Sequence, residues 1–199
     1  MFVINVVLNC TSIQEIIDLV QQISEREFAM SIKKHFYTWQ DVDNMTHDIL
    51  RQVATDRDNF KPDYIVGLCR GGLVPGVMLS HYFDIPFHPL KIQLRDHQQI
   101  VVNEWMPQDA LDGKNILIVD DINDSGSTLK YLVDDWDNRG KIITDGKTQI
   151  NWLANVRFAV LTENEASEFG DVDYYSHAVN KTEDPVWYVY PWENWWSKR

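Results

Sequence analysis

Apolar and polar positions along this chain fall into two rhythms that replace one another repeatedly. Ile13, Ile16, Ile17, Val20 and Ile23 recur at helical spacing behind a Ser12–Glu15 capping box, which predicts an amphipathic helix over residues 12–27. Thr38 and Asp41 form a second capping arrangement, and Val42, Met45, Ile49 and Val53 space out a second helical face. Short apolar runs then read as strands: Tyr64–Leu68, Phe87–Leu94, Ile116–Val119, Val156–Leu161 and Val186–Tyr190. Between them, Gly71–Phe83 reads as a turn and helix with Pro75 tolerated in its first turn. Ser127–Asn138 reads as a helix with Gly140 near its C-terminus. Arg95–Asp112 reads as polar and irregular, and Lys141–Ile150, with its Asp145-Gly146 turn signal, as a local insertion. There is no internal repeat and no low-complexity linker. Strands alternating with helices predict an α/β fold, a parallel twisted sheet flanked by helices.

Composition narrows the partners more than the fold. A chain of 199 residues with 44% hydrophobic content is expected to build one domain around a sizeable core. A formal net charge of −12 argues against a nucleic-acid surface, which needs a basic face. Cys10 and Cys69 are too few for a disulfide framework, so a reducing, cytoplasmic setting is the expectation. No apolar run reaches the ~18 residues of a membrane helix, and Phe2–Leu8 lacks the positive flank of a signal peptide.

The chemistry concentrates in Ile116–Leu129, ILIVDDINDSGSTL. Four apolar residues in a row suit a strand buried on both faces of a parallel sheet. Asp120 and Asp121 follow it, at the end where open α/β sheets place ligands. Asp124-Ser125-Gly126-Ser127-Thr128 can wrap a phosphate with backbone N–H groups and hydroxyls, and the helix that begins there favours an anion at its N-terminus. A Walker B reading fails for want of a G-x-x-x-x-G-K-[ST] loop, since Gly113-Lys114-Asn115 does not fit it. A D-x-D nucleophile fails on spacing, because Ile122 does not supply the second acid. Carboxylates beside a phosphate cradle point to a sugar phosphate bound with a divalent metal.

The same stretch resembles the phosphoribosyl pyrophosphate (PRPP) signature of type I phosphoribosyltransferases: apolar strand, two acids, spacer, then D-[ST]-G-x-[ST]. Cys69-Arg70-Gly71-Gly72-Leu73-Val74-Pro75-Gly76 resembles the pyrophosphate loop of that family and its following helix. Tyr37-Thr38-Trp39 and Trp187-Tyr188-Val189-Tyr190-Pro191-Trp192-Glu193 resemble the opening and the C-terminal base-binding segment of bacterial xanthine-guanine (hypoxanthine) phosphoribosyltransferases. The resemblance covers roughly residues 31–196, so the expected organisation is an N-terminal extension over 1–29 and a phosphoribosyltransferase domain over 30–199. Met30 as the true start, and a genuine extra helix, stand as equal alternatives for the extension.

The resemblance implies a type I phosphoribosyltransferase fold with a small C-terminal hood for the base, magnesium as cofactor, and a homo-oligomer, dimer or tetramer. It implies transfer of the phosphoribosyl group of PRPP to a nucleobase, with a purine (hypoxanthine, guanine or xanthine) expected. The products are a nucleoside 5′-monophosphate and pyrophosphate. The 5′-phosphate falls to Asp124, Ser125, Gly126, Ser127 and Thr128, and the pyrophosphate to Arg70, Gly71 and Gly72. Arg70 can give paired hydrogen bonds to phosphate oxygens. Asp120 and Asp121 are expected to hold the ribose hydroxyls, directly or through magnesium, and to stabilise a cationic sugar centre. Asp124 corresponds to the acid near N7 of the purine that acts as general base, while an Asp in a turn also orders the turn by itself. Trp187 matches the position that stacks on the base and Tyr188 the one whose backbone reads its edge. Trp192, Trp195 and Trp196 read as packing. The long segment after Arg95, with Asp96 and His97, matches a flexible loop that closes over the reaction.

One departure bears on the base. The 6-oxopurine subfamily carries a lysine just after the strand corresponding to Val156–Leu161, whereas this chain has Thr162-Glu163-Asn164 there. Lys181 and Lys147 are the candidates to replace it, and nothing in their spacing selects one. A transferase for a pyrimidine or other heterocycle is the alternative within the enzyme class. A non-catalytic PRPP-sensing regulator that binds nucleic acid is the alternative outside it. Against the regulator, Glu15, Asp18, Glu25 and Glu27 make the N-terminal segment acidic.

Overall fold

Four of the predicted apolar runs and one segment not anticipated form a single parallel sheet in the computed structural model. The structure describes residues 33–92 and 105–193, with Gln14 and Trp196 besides. The helix expected over 12–27, Met30, Arg95–His97 and Trp195 lie outside the described residues. The elements are β1 (Lys33–Phe36), α1 (Trp39–Ala54), β2 (Tyr64–Cys69), α2 (Leu73–Phe83), β3 (Phe87–Lys91), α3 (Trp105–Leu111), β4 (Ile116–Asn123), α4 (Ser127–Thr144), β5 (Val156–Asn164), β6 (Tyr174–Val179) and β7 (Val186–Val189). By chain contacts they divide into two units, one of Tyr37–Asp184 and one joining the chain up to Phe36 with the chain from Pro185 onward.

Within Tyr37–Asp184 the five strands run in the order β3-β2-β4-β5-β6, all parallel. The central strands are buried on both faces, β5 along its whole length, while the edge strands β3 and β6 each bury one residue fully, Leu90 and Tyr174. Val66, Leu68, Ile116, Ile118 and Phe158 share one core cluster with Leu129, Leu132 and Trp136 of α4 and with Met106 and Ala110 of α3. Ile65, Leu117 and Val119 alternate with these and point the other way, to the face that α2 covers on β2 and β4 and α1 on β5 and β6. Helices on both faces make this the doubly wound, parallel α/β arrangement expected from the alternation.

Local signals explain most boundaries. Thr38 accepts from Asp41 N–H at 3.1 Å and Asp41 accepts from Thr38 N–H at 2.7 Å, completing the capping box of α1. Val42, Met45, Ile49 and Val53, read as its apolar face, are all buried. Four expectations need correction. Residues 105–111, read as part of an irregular stretch, form α3, because Met106 and Ala110 lie one turn apart and are both buried. Helix α4 runs past Asn138 to Thr144, so Gly140 lies inside it, buried. Its stop is the Asp145-Gly146 pair, whose φ values of 53° and 71° cannot continue a right-handed helix. Strands β4 and β5 also extend beyond their apolar runs, to Asn123 and Asn164, because polar residues at their ends pair across the sheet: Ile122 lies opposite Thr162 and Asn123 opposite Glu163.

The second unit pairs β1 with β7 in parallel, Lys33 opposite Val186 and Phe36 opposite Val189. Neither β1 nor β6 stands out as an apolar run in the sequence: all four residues of β1 are exposed, and β6 buries mainly Tyr174. No helix among the described residues is long and apolar enough to cross a membrane.

Candidate active site

Two loops at the carboxyl ends of neighbouring strands meet here. Strands β2 and β4 pair directly, Gly67 opposite Val119. The loop after β2, Arg70-Gly71-Gly72, therefore lies against the end of β4. A Cβ on Gly72 would stand 2.0 Å from the Val119 carbonyl oxygen, and one on Gly71 2.2 Å from the Asp121 carboxyl. Gly72 is required by the approach of the loop to the main chain of β4, and a side chain on Gly71 would displace the Asp121 carboxyl. The Cys69–Arg70 peptide bond is cis. Arg70 follows it, exposed, and Gly72 leads into α2 without a side-chain cap.

Asp120 and Asp121 occupy the last half of β4 rather than the loop after it, with Asp120 opposite Val160. Asp121 N–H donates to Asp120 Oδ1 at 2.9 Å. Burial, and then the charge of Asp121 beside it, push the Asp120 carboxyl well above the usual carboxylate range, against backbone hydrogen bonds from Asp121 and Gly72. Two adjacent carboxyls held this way form a site that a cation would relieve.

The turn after β4 is pinned from behind. Gly126, with φ of 85°, is the N-cap of α4, and a Cβ there would stand 2.5 Å from the Phe169 backbone nitrogen. Ser125 and Ser127 are exposed, their hydroxyls 2.9 Å apart, and no side chain caps α4. Hydroxyls and helix-start N–H groups thus face outward together. Asn123, between the acids, is buried and donates to both oxygens of Glu163, at 2.8 and 3.1 Å, and to the Phe169 carbonyl at 2.8 Å. Ser167 Oγ completes the brace by donating to Asn123 Oδ1 at 3.0 Å.

Thr162-Glu163-Asn164, the segment in which a lysine was expected, supports the motif turn. Asn164 Nδ2 donates to the Asp124 carbonyl at 2.7 Å, while its Oδ1 accepts from Lys181 N–H at 3.0 Å. Lys181 Nζ in turn stands 2.7 Å from Asp124 Oδ1. Of the two lysines considered, the structure brings Lys181 to the motif. Asn123, Asn164 and Ser167 were missed by the sequence reading. The one available signal was a polar residue ending each buried strand, where an unpaired side chain would be costly.

In the other unit Trp187 is 44% exposed and Tyr188 is half-buried, its ring 5.7 Å from that of His35. Trp192 stacks on Tyr190 at 4.9 Å, as packing predicts. Trp196 is 67% exposed in the single chain, which leaves subunit packing as the form its expected packing role would take.

A parallel α/β sheet with an acidic strand end, a serine-lined turn and a glycine loop at its carboxyl edge defines a phosphate-handling α/β enzyme. The chain belongs to the family described as the phosphoribosyl transferase domain, whose match spans residues 31–189. It is 25% identical over 185 residues to the hypoxanthine-guanine phosphoribosyltransferase of Saccharomyces cerevisiae, covering 76% of this chain and 83% of that protein. It is 38% identical over 96 residues to the xanthine-guanine phosphoribosyltransferase of Cereibacter sphaeroides, covering 43% of this chain and 58% of that one. The solved structure of purine phosphoribosyltransferase from Pyrococcus horikoshii Ot3 superposes with a TM-score of 0.59 at 26% identity, covering 83% of this chain and 98% of that chain. The fold is that of the type I phosphoribosyltransferases.

Proposed function

We propose that this protein transfers the phosphoribosyl group of PRPP to a 6-oxopurine, hypoxanthine, guanine or xanthine, releasing pyrophosphate. The observation that carries the reading is the meeting of three parts at one sheet edge. They are the carboxyls of Asp120 and Asp121, the Asp124–Thr128 turn at the head of α4, and the Arg70–Gly72 loop pressed on Asp121. In this reading Ser125, Gly126, Ser127 and Thr128 bind the 5′-phosphate, and Arg70, Gly71 and Gly72 bind the pyrophosphate. The purine-specific names of the relatives support the choice of base.

Asp120 and Asp121 fit magnesium as a donor set. Magnesium takes oxygen ligands, keeps several waters and is commonly held by one or two carboxylates plus substrate phosphates. Among the described residues no group of three or more acids, histidines or cysteines could form a closed cage. When bound, magnesium supplies positive charge that eases departure of the pyrophosphate. The remaining chemistry falls to the chain. Asp121 and Asp120 hold the ribose hydroxyls and place negative charge beside C1 as it becomes cationic. The lone pair of N9 of the base forms the bond to C1. The C1–oxygen bond breaks, its electron pair leaving with pyrophosphate. The proton on N7 passes to the Asp124 carboxylate. Trp187 stacks on the purine and the Tyr188 backbone reads its edge.

The test is a chromatographic assay with PRPP, magnesium and hypoxanthine, guanine, xanthine, adenine, uracil or orotate supplied singly. A nucleotide from the 6-oxopurines is expected. A nucleotide from uracil or orotate alone would move the assignment to a pyrimidine enzyme. Binding of PRPP with no product from any base would replace the enzyme by a sensor.

A further inference from the structure

We infer that Asn123 and Glu163 are positioning residues for the 5′-phosphate: with the segment Asn164–Phe169 behind them, they orient the peptide groups of the Asp124–Gly126 turn toward the anion. The inference rests on the transferase reading above, in which this turn binds the 5′-phosphate, and concerns two residues to which that reading gives no role. The turn has its carbonyls tied back. Asn164 Nδ2 donates to the Asp124 carbonyl at 2.7 Å, and Glu168 N–H donates to the Ser125 carbonyl at 3.2 Å. Both peptide bonds are trans, and in a planar trans peptide the N–H points opposite to the C=O. With these two carbonyls drawn onto residues 164–169, the N–H groups of Ser125 and Gly126 face away from that segment. Successive N–H groups presented this way form an anion-binding concavity.

The backing segment is itself anchored to β4 through Asn123. Asn123 Nδ2 donates to the Phe169 carbonyl at 2.8 Å and to the Glu163 oxygens at 2.8 and 3.1 Å, while Oδ1 accepts from Ser167 Oγ at 3.0 Å. Ser167 Oγ also accepts from Phe169 N–H at 3.2 Å, and Ser167 N–H donates to the Asn164 carbonyl at 2.7 Å. Two acceptors thus face the amide nitrogen and one donor faces the amide oxygen, so Asn123 has one satisfied orientation. As a source of stability the arrangement is poor. Glu163 is 9% exposed, and among the described residues its donor is a neutral amide rather than a cation. A carboxyl buried this way carries a desolvation cost that a well-packed apolar pair would avoid. Such a local cost directly behind a binding turn is the pattern of a functional site rather than of a core. The position at which the motif comparison found no lysine therefore holds the turn.

The experiment measures binding of ribose 5-phosphate and, separately, of magnesium pyrophosphate by calorimetry. It compares wild type, Glu163→Leu, Glu163→Gln, Ser127→Ala and the double variant Glu163→Leu/Ser127→Ala. In Glu163→Leu, ribose 5-phosphate should bind about tenfold to a hundredfold more weakly, while pyrophosphate, assigned to the Arg70–Gly72 loop, keeps its affinity. Glu163→Gln, which keeps an acceptor for Asn123, should recover most of that loss. Ser127→Ala should weaken ribose 5-phosphate in wild type and add little in Glu163→Leu, because the hydroxyl is then already misplaced. An unchanged ribose 5-phosphate affinity in Glu163→Leu, a parallel loss for pyrophosphate, a glutamine variant no better than leucine, or additive losses in the double variant would each overturn the role. Should Glu163→Leu fail to fold, Ser167→Ala carries the same test: a loss confined to ribose 5-phosphate is expected, and no loss overturns the role. Wild type that forms no nucleotide from any base would overturn the transferase reading itself, a result distinct from all of these.

Discussion

Single side chains carry distinct parts of the proposed chemistry, and their substitutions separate them. Asp121 lies at the end of a buried strand, and its carboxyl lies where a Cβ on Gly71 would stand. Asp121→Asn keeps the shape and removes the charge. Turnover should fall about a hundredfold, the scale of losing one preorganised electrostatic contact to a transition state. The melting temperature should stay near that of wild type, because removing one of two adjacent carboxylates relieves repulsion. Unchanged turnover would remove Asp121 from the chemistry. Trp187 is 44% exposed, so part of its ring stands open to a ligand. Trp187→Ala should raise KM for the base about tenfold to a hundredfold, the stacking energy of one base, with a smaller change for PRPP. A larger effect on PRPP than on base would make Trp187 a packing residue.

At the scale of elements, the meeting of two loops depends on glycines whose role is steric. Gly72 has φ of −72°, an ordinary value, so alanine there would face no backbone penalty. Its Cβ would nonetheless meet the Val119 carbonyl at 2.0 Å, and a main-chain oxygen cannot rotate away. Gly72→Ala should therefore cost about 1–3 kcal/mol by thermal melting and weaken pyrophosphate binding as the loop shifts. A variant with wild-type stability and pyrophosphate affinity would show that the loop stands off β4. This contact illustrates what the sequence could reveal. The apolar runs of β2, β4 and β5 and the spacing of α1 were legible because burial on both faces, or on one helical face, leaves a periodic trace. The PRPP-like motif was legible because its residues are contiguous. The contact of Gly72 with Val119, the Asn123–Glu163 brace and the approach of Lys181 to Asp124 join residues 40 or more positions apart. No local pattern records them. Strand β1, exposed at every residue, left no trace because backbone pairing with β7 holds it.

For the whole molecule, hydrogen-bonded and buried acids set how stability responds to pH. Asp48 and Asp56 act at the acid end. Asp48 is held below its ordinary value by the Ser176 hydroxyl and by Arg51. Burial alone would raise Asp56, but hydrogen bonds from Phe60 N–H and Tyr174 and the charge of Arg157 hold it low. Their stabilisation is present above the unfolded carboxylate range and is lost as pH falls through their lowered values. Glu163 and Asp173 act in the opposite sense. Burial pushes Glu163 up from 4.5 to about 7, opposed by Asn123, and Asp173 up to about 6, opposed by the Phe158 N–H and Arg157. Between pH 4.5 and about 7 the native chain keeps a proton on Glu163 that the unfolded chain has lost. Stability therefore falls as pH rises across that window, by on the order of 3 kcal/mol once Glu163 is ionised in both states. Glu163→Gln keeps an acceptor for Asn123 and removes the titration. The loss of melting temperature from pH 5 to pH 8 should shrink by several degrees in the variant, with its advantage over wild type growing as pH rises. Asp173 titrates in both proteins and cancels in the comparison. Parallel melting curves, offset equally at every pH, would mean that Glu163 keeps its ordinary pKa and that the brace behind the motif turn is wetter than its geometry implies.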